Sequence, residues 1–284
     1  MERELQNIDN KLLNLPNTTN NSQVNRNLYT KFQKDIPKID FKEAVKIINN
    51  FKTLQIDRRN TLLMLVQDSY KRAGKYCVAR IKNELGDIAH DISVEVTRDN
   101  LLKNVLDGLA SYVEVKESGN HLDKYAQIIA EKLCQRACTG ANIFIEIHKW
   151  DMLKNPMQDL DWFISNFWQH LLECSPNILR ERNHSKVRFM IVITSEKSSL
   201  LPQSNNTYVK KWQQFDEKSV FELVLEKSWK EDYIKSWLET YSNKYKECND
   251  IKIDEITKDT YDISNVPNDI CKKLEEEMIG KQIN

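Results

Sequence analysis

Short runs of apolar residues alternate along this chain with longer segments in which apolar residues recur every three or four positions. A continuous run of roughly four to eight apolar residues is typical of a buried strand, and the three-to-four spacing is typical of a helix with one buried face. This alternation favours an α/β fold in which helices cover both faces of a mainly parallel sheet. The predicted strands are residues 61–66, 88–96, 141–147, 187–194 and 220–225.

The helical spacing predicts helices before, between and after most of these strands. Asp40 is a suitable N-cap residue, with Glu43 at the third helical position, and it begins the helix before the first strand. Further helices are predicted over residues 75–85, 101–112, 121–138, 157–174, 230–243 and 269–280. One stripe is interpreted as core packing and not as a ligand-binding set: Met157, Leu160, Ile164, Phe167, Trp168 and Leu171.

The start of the chain has a different composition. Residues 1–14 predict a short helix, and the Asn-rich residues 14–22 predict a polar linker, because they carry too little apolar surface to fold alone. We therefore expect an N-terminal segment over residues 1–37 and a main domain over residues 38–245. Residues 246–284 are expected to form a helical C-terminal extension of that domain.

Composition narrows the class of protein. Of the 284 residues, 40% are apolar, which is enough for one large core. Lys plus Arg and Asp plus Glu number 42 each, so the chain has no excess of positive charge. Its composition therefore does not predict binding to nucleic acid or to an anionic membrane. The longest apolar runs, residues 62–66 and 189–193, are far shorter than the roughly 18–20 residues needed to span a bilayer. The N-terminus is too polar for a secretory signal, and a cytoplasmic protein is the expectation.

Motifs for metal binding or nucleophilic catalysis are missing from the sequence. The chain has no H-E-x-x-H or G-x-S-x-G motif, and its five histidines form no close cluster. No C-x-x-C pair occurs, so the cysteines are expected to be free thiols, without a zinc site or a disulfide framework. The cysteines are Cys77, Cys134, Cys138, Cys174, Cys248 and Cys271.

The segment after the first strand has the outline of a phosphate-binding loop. An intact loop has the pattern G-x-x-x-x-G-K-[ST], in which glycines let backbone N–H groups surround a phosphate and the hydroxyl binds Mg²⁺. Here Ser69 replaces the first glycine, Gly74 and Lys75 remain, and Tyr76 replaces the hydroxyl residue. We expect backbone strain at Ser69 if the turn requires a positive φ, and no metal ligand from Tyr76. The simpler alternative is an ordinary strand-to-helix turn with a solvated lysine.

Polar residues at the ends of two other strands complete the candidate site. Ligands of open parallel sheets bind beyond the carboxyl ends of the strands. Glu146 stands where a nucleotidase keeps a metal-binding acid, but Ile147 stands where the second acid would activate water. Thr194 ends the fourth predicted strand; it either senses a γ-phosphate or, as we favour, caps a following helix.

Three segments together resemble the inactive STAND domain, a degenerate branch of the signal-transducing P-loop ATPases found in bacterial, notably cyanobacterial, conflict and signalling systems. They are residues 62–81, residues 143–150, and residues 221–225 leading to Trp229, Asp232 and Trp237. The resemblance implies a three-layer P-loop NTPase-like fold whose five strands have the order 5-1-4-3-2. It also implies a domain that regulates or recruits an effector or adaptor protein, without a cofactor. Ser69, Gly74, Lys75, Tyr76, Glu146 and Thr194 are then vestigial positions of a nucleotide site.

Two alternatives differ from this interpretation in kind. In the first, the chain is a nucleotide-binding switch or slow ATPase that binds ATP with Mg²⁺ through Lys75 and Glu146. In the second, it is a scaffold without P-loop ancestry, and Gly74 and Lys75 lie away from the end of any strand.

Overall fold

A computed structural model describes residues 19–53, 61–98, 100–116, 121–136, 142–181, 187–197, 200, 208–245 and 250–279. The chain divides into two compact units. We call Phe41–Ser228 with Val266–Asn268 the sheet unit, and Met1–Asp40, Trp229–Asn265 and Asp269–Asn284 the helical unit. The domain boundaries expected after residues 37 and 245 stay predictions.

The strands and helices are numbered in chain order. The strands are β1 (Thr61–Val66), β2 (Ile88–Glu95), β3 (Asn142–His148), β4 (Phe189–Thr194), β5 (Tyr208–Val209) and β6 (Val220–Leu223). The helices are α1 (Thr19–Asp35), α2 (Lys42–Thr53), α3 (Gly74–Leu85), α4 (Leu102–Val113), α5 (Leu122–Arg136), α6 (Pro156–Phe163), α7 (Gln169–Glu181), α8 (Glu231–Tyr241), α9 (Asp250–Ile263) and α10 (Pro267–Met278). A π-helical segment, Ile164–Trp168, joins α6 to α7.

The sheet is parallel throughout, with the order β2-β3-β4-β1-β6-β5. All five predicted strands are present, and among themselves they have the order that the resemblance implies. The predicted number of strands was nevertheless wrong, because β5 adds a sixth at the edge. Tyr208–Val209 is too short to show an alternating pattern in the sequence.

Side chains of the sheet enter two separate layers of core. Leu63 and Leu65 of β1 point into the core formed with α4, α5 and the π-helical segment. Leu62 and Met64, which alternate with them, point into the core formed with α2 and α3. Because every side chain of β1 is buried, its sequence is apolar without alternation, as a central parallel strand requires. The predicted three-layer α/β fold is therefore confirmed.

Three details of the predicted helices were wrong. Met157, assigned to the core, is 38% exposed, although the other members of its stripe are buried. Helix α9 was missed because its buried positions, Ile253, Thr257 and Thr260, include two threonines that interrupt the apolar spacing. Residues 19–22, assigned to the linker, begin helix α1, while residues 1–18 lie outside the described part.

The helical unit is organised around aromatic residues. Phe32 of α1 is fully buried, and its ring meets those of Trp237 and Tyr245 edge-on at centroid distances of 5.8 and 6.1 Å. The Trp237 indole donates a hydrogen bond of 3.0 Å to the carbonyl oxygen of Asp35. These contacts hold the C-terminal end of α1 against α8 and the turn that follows it. Among the described helices of the whole chain, none is long and apolar enough to cross a membrane.

Asp35 is a buried carboxylate of the helical unit with three donors around it. Lys38 lies 2.8 Å from Oδ1, while the Tyr245 hydroxyl at 2.9 Å and the Lys244 ammonium at 3.2 Å donate to Oδ2. Burial alone would raise the pKa of Asp35, but the hydrogen bonds from these donors outweigh it and hold the pKa below the ordinary 3.8. The stabilisation that the Asp35 carboxylate gives to the folded protein is therefore fully present above the ordinary pKa of 3.8. It is lost as the pH falls through the lower pKa of Asp35 in the folded state.

Replacing Asp35 by asparagine is expected to lower the free energy of unfolding by about 1–2 kcal/mol at pH 7, because charge-assisted hydrogen bonds become neutral ones. The deficit should shrink in acid, because below pH 3.8 the Asp35 carboxyl group of the unfolded chain is protonated and must release that proton on folding. Urea unfolding of both proteins at pH 7 and pH 3 measures the difference. Asp254→Asn is the control, since its pair with Lys235 is exposed and should contribute little. An equal deficit at both pH values would contradict the assignment.

Candidate functional site

The loop between β1 and α3, residues 67–73, lies at the carboxyl edge of the sheet, where ligands of parallel folds bind. It connects a central strand to a helix that begins at Gly74, and Lys75 is the next residue. Gly74 and Lys75 thus follow the end of a strand, which excludes the second alternative, a scaffold in which they lie elsewhere.

Gly74 is required by a close approach of the loop to itself. A Cβ at Gly74 would lie 2.5 Å from the Cβ of Ser69 and 2.7 Å from its Cα. The backbone N–H of Gly74 donates to the Ser69 carbonyl oxygen at 2.6 Å. The positive φ angles of the loop occur at Asp68 (+53°) and Ala73 (+55°), which lie before and after Ser69 in the chain. Ser69 is not among the described residues with positive φ, so the condition for backbone strain at Ser69 is not met.

The backbone amides of the loop are bonded to carbonyl oxygens of the chain. Ser69 N–H donates to the carbonyl oxygen of Ser195 at 2.9 Å, and Arg72 N–H donates to that of Asp68 at 3.0 Å. The N–H groups of Tyr76 and Cys77 both donate to the carbonyl oxygen of Ala73. With the N–H groups of Gly74 and Asp68, six amides in and beside the loop already have acceptors, in the region where a phosphate-binding loop aims its amides at a ligand.

Arg72 fixes the loop in this conformation. One guanidinium nitrogen lies 2.6 Å from a carboxylate oxygen of Asp68, and another donates to the carbonyl oxygen of Leu225 at 2.9 Å. Leu225 lies just after β6, so Arg72 links the loop to the neighbouring strand end. Asp68 has a positive φ, which costs on the order of 1 kcal/mol for a residue other than glycine. The contacts of Arg72 stabilise the loop and offset this cost.

Tyr76 places an aromatic ring at the last position of the predicted phosphate-binding loop. Tyr76 is buried, and the ammonium of the exposed Lys75 lies 4.6 Å from the centroid of its ring. This is within the range of a cation–π contact, which is worth about 0.5–1 kcal/mol at an exposed site. The lysine thus lies beside a ring at the position where an intact loop has a metal-binding hydroxyl.

Glu146 of β3 is buried among positively charged or protonatable groups. One carboxylate oxygen lies 3.0 Å from the ammonium of Lys82, and the other lies 3.2 Å from Nδ1 of His148. Lys82 is eight residues after Gly74 in α3, about 12 Å further along the helix axis at 1.5 Å per residue. The acid therefore pairs with a cation of the chain two turns from the loop.

Lys82 is held by two carboxylates. Its ammonium also lies 2.9 Å from Asp91 of β2 and 4.9 Å from the centroid of the Phe144 ring. Burial alone would lower the pKa of Lys82, but the attraction of Glu146 and the hydrogen bonds to both acids raise it above its ordinary value. Lys82 therefore stays protonated and neutralises Glu146 over the physiological pH range.

Thr194 ends β4 and is buried. Its hydroxyl oxygen accepts a hydrogen bond of 3.3 Å from the backbone N–H of Lys149. Residues 195–197 are not helical, so the favoured prediction that Thr194 caps a following helix was wrong. Those residues lie against the loop instead: Ser195 O accepts from Ser69 and Lys197 O accepts from Asp68.

A buried polar network continues the site on its other side. The side-chain amide of Gln67 donates to Glu222 at 3.1 Å, and its oxygen accepts from the backbone N–H of Leu200 at 2.9 Å. Lys210 lies 3.0 Å from the other oxygen of Glu222. As with Glu146, a carboxylate buried in the sheet is thus accompanied by a lysine of the same chain.

The structure brings Ser69, Gly74, Lys75 and Tyr76 together and places the residue after Thr194 against Ser69. Glu146 is linked instead to Lys82, which the sequence did not single out. The available signal was spacing: Lys82 lies four residues after the buried Val78 on α3, at the margin of the buried stripe. Among the described residues, no group of three or more His, Cys, Asp or Glu could hold a metal ion.

Comparison with known proteins adds family and fold. A family model described as inactive STAND matches residues 36–195, more than half of the chain. No curated protein matches the chain. The chain is similar to the crystal structure of Cdc6p from Pyrobaculum aerophilum, with a TM-score of 0.53, 10% identity, and coverage of 86% of this chain and 62% of that one. A match to RIF2 of Saccharomyces cerevisiae has a TM-score of 0.35 and 14% identity, covering 83% and 78% of the two chains. At 10% identity, the likeness to Cdc6p shows only that the two proteins share a P-loop fold. The match covers less than two thirds of the Cdc6p chain.

Proposed function

The chain belongs to the inactive STAND family of degenerate P-loop NTPase-like domains, and from that membership we propose that it is a non-catalytic regulatory or adaptor module. It serves a bacterial conflict or signalling system of the type known from cyanobacteria. It acts through contacts with an effector or adaptor protein, in the cytoplasm, and uses no cofactor, nucleic acid or membrane.

The observation that carries this proposal is the internal bonding of the loop. A phosphate is held by several amides that converge on it, whereas Ser69, Arg72 and Gly74 donate theirs to carbonyl oxygens of the chain. A nucleotide bound through these three amides would have to break these bonds and shift the Ser195 segment. Each exchanged hydrogen bond contributes only about 0.5–1.5 kcal/mol net. Opening the loop therefore consumes much of what phosphate binding could return.

The second support is electrostatic. A Mg²⁺ ion at Glu146 would have to displace the Lys82 ammonium, which lies 3.0 Å from the carboxylate, or accept a second cation beside it. Tyr76 supplies no hydroxyl at the position where the other ligand of Mg²⁺ is expected. The residues present thus fit neither the metal nor the water activation that phosphoryl transfer requires.

Support for protein contacts comes from exposed apolar side chains. Within the described part of the sheet unit, the large hydrophobic residues with the greatest exposure are Tyr70, Leu101, Met157 and Val224, at 38–58%. Each lies in the segment that follows a strand, after β1, β2, β3 and β6 respectively. In a parallel sheet these segments share one edge, so a protein partner that contacts this edge would meet exposed apolar side chains there.

We expect no nucleotide to raise the melting temperature of this protein. The measurement is thermal unfolding with ATP, ADP and GTP, each with and without Mg²⁺, for the wild type and Lys75→Ala. A ligand at a hundred times its Kd adds about 2.7 kcal/mol, which for a chain of this size is a rise of about 5 °C. A rise that depends on Lys75 would favour the alternative, a nucleotide-binding switch that uses Lys75 and Glu146.

A further inference from the structure

Two cysteines that are far apart in the sequence meet in the sheet unit. Cys134 lies near the end of α5 and Cys174 lies in α7, and their sulfur atoms are 2.9 Å apart. A disulfide has a sulfur–sulfur distance of about 2.05 Å, so the two thiols need to approach by less than about 1 Å. Cys134 is fully buried in the core, while Cys174 packs against that core and is partly exposed.

The hydrogen bonds of the pair assign different roles to the two thiols. The Cys174 thiol donates to the carbonyl oxygen of Leu171 at 3.6 Å, one turn back in the same helix. The geometry allows either thiol to donate in the contact between the sulfurs, and the Cys134 thiol is the donor when the Cys174 proton is directed at Leu171. The hydrogen bond with Cys174 and burial raise the pKa of the Cys134 thiol, so Cys134 stays protonated. The partly exposed Cys174 is thus the sulfur that a small oxidant can reach.

We propose that Cys134 and Cys174 form an oxidisable thiol pair that hydrogen peroxide converts to an intramolecular disulfide. Thiol pairs that are oxidised in reducing compartments are usually redox-sensing rather than structural. This inference is independent of the proposed function, because neither cysteine belongs to the β1–α3 loop or to the group formed by Glu146, Lys82 and His148.

The reaction proceeds in two balanced steps. The Cys174 thiolate attacks one peroxide oxygen; an S–O bond forms, the O–O bond breaks, and the departing hydroxide leaves as water with the proton that Cys174 released. The sulfur of Cys134 then attacks the Cys174 sulfur; the S–S bond forms, the S–O bond breaks, and the hydroxide takes the Cys134 proton. Two thiols lose two electrons, and one peroxide accepts them and becomes two molecules of water.

The disulfide would join α5 to α7 across 40 residues of chain. Closing a loop of this length restricts the unfolded chain, and the expected result is a rise in melting temperature of about 5 °C or more. The oxidised protein should return to its former melting temperature after reduction with dithiothreitol.

The test is peptide mapping of the full chain after treatment with hydrogen peroxide and blocking of the remaining thiols. Trypsin cleaves after Lys132 and Arg136, so Cys134 is recovered in residues 133–136, apart from Cys138, and Cys174 is recovered in residues 155–180. We expect these two peptides to be joined, with the loss of two hydrogen atoms, and to separate on reduction.

Matched variants make the test specific. Cys174→Ser and Cys134→Ser should abolish both the joined peptide and the shift in melting temperature. Cys77→Ser should leave both unchanged, because Cys77 is buried in the other core layer. The proposal is overturned if peroxide leaves the two peptides separate, or if Cys174 is recovered only as sulfinic or sulfonic acid. The wild-type map alone decides between these outcomes if a variant fails to fold.

Discussion

Replacing Lys82 by methionine is expected to lower the free energy of unfolding by about 3 kcal/mol, since removing one partner of a buried ion pair leaves the other without compensation. Glu146 is 7% exposed at the side chain, and Lys82 supplies the closest cation to it. Methionine keeps most of the length and volume of the lysine stem, so the loss reports on charge more than on packing. Urea unfolding at pH 7 measures it.

The second carboxylate partner of Lys82 offers the control. Asp91 is 40% exposed and can be solvated when the lysine is removed. Glu146→Gln in the Lys82→Met background should therefore recover most of the lost stability, while Asp91→Asn in that background should recover little. If Lys82→Met unfolds at the same urea concentration as the wild type, the ammonium does not neutralise Glu146 and the account of the site is incorrect.

Gly74→Ala is expected to destabilise the protein by about 2–3 kcal/mol, because the added methyl group would overlap atoms of Ser69, including its Cα, in a packed region. The contact is with backbone as well as with a short side chain, at 2.5–2.9 Å, so no side-chain rotation relieves it. The loop must open and lose the Gly74 N–H bond to Ser69. Thermal and urea unfolding both measure the effect.

Gly108→Ala is the matched control for that substitution. Gly108 also lies in a helix, α4, and the atoms nearest to a Cβ there would be the side-chain methyl groups of Val94, at 3.0 and 3.1 Å. Alanine favours the helix by up to about 1 kcal/mol over glycine, which offsets the crowding. Stability within about 1 kcal/mol of the wild type is expected. Equal losses for the two variants would mean that the Ser69 contact has no special importance.

Much of the fold could be predicted from periodicity because the sheet is buried on both faces. The strand Thr61–Val66 is apolar at every position after its first, and its predicted and observed bounds agree. Periodicity failed where burial does not coincide with apolar side chains. The buried threonines of α9 interrupt its stripe, and β5, with two residues, has no period at all.

The site was only partly predictable, for a related reason. Gly74 and Tyr76 are informative in the sequence because a loop motif fixes their spacing. Lys82 pairs with Glu146 across 64 positions, the difference between 146 and 82, and Ser195 accepts from Ser69 through the alignment of β1 with β4. Such pairings depend on strand order and register, which no local pattern specifies. The contact between Cys134 and Cys174 could not be predicted for the same reason.

The loop conformation itself can be measured directly. Amide-resolved hydrogen exchange of Ser69, Arg72, Gly74, Tyr76 and Cys77 reports whether these N–H groups are already bonded within the chain. We predict that these amides are protected without nucleotide and that an excess of ATP with Mg²⁺ leaves their exchange rates unchanged. Rapid exchange in the free protein, with protection that appears only when ATP and Mg²⁺ are added, would contradict the internal bonding of the loop and establish a working phosphate-binding loop.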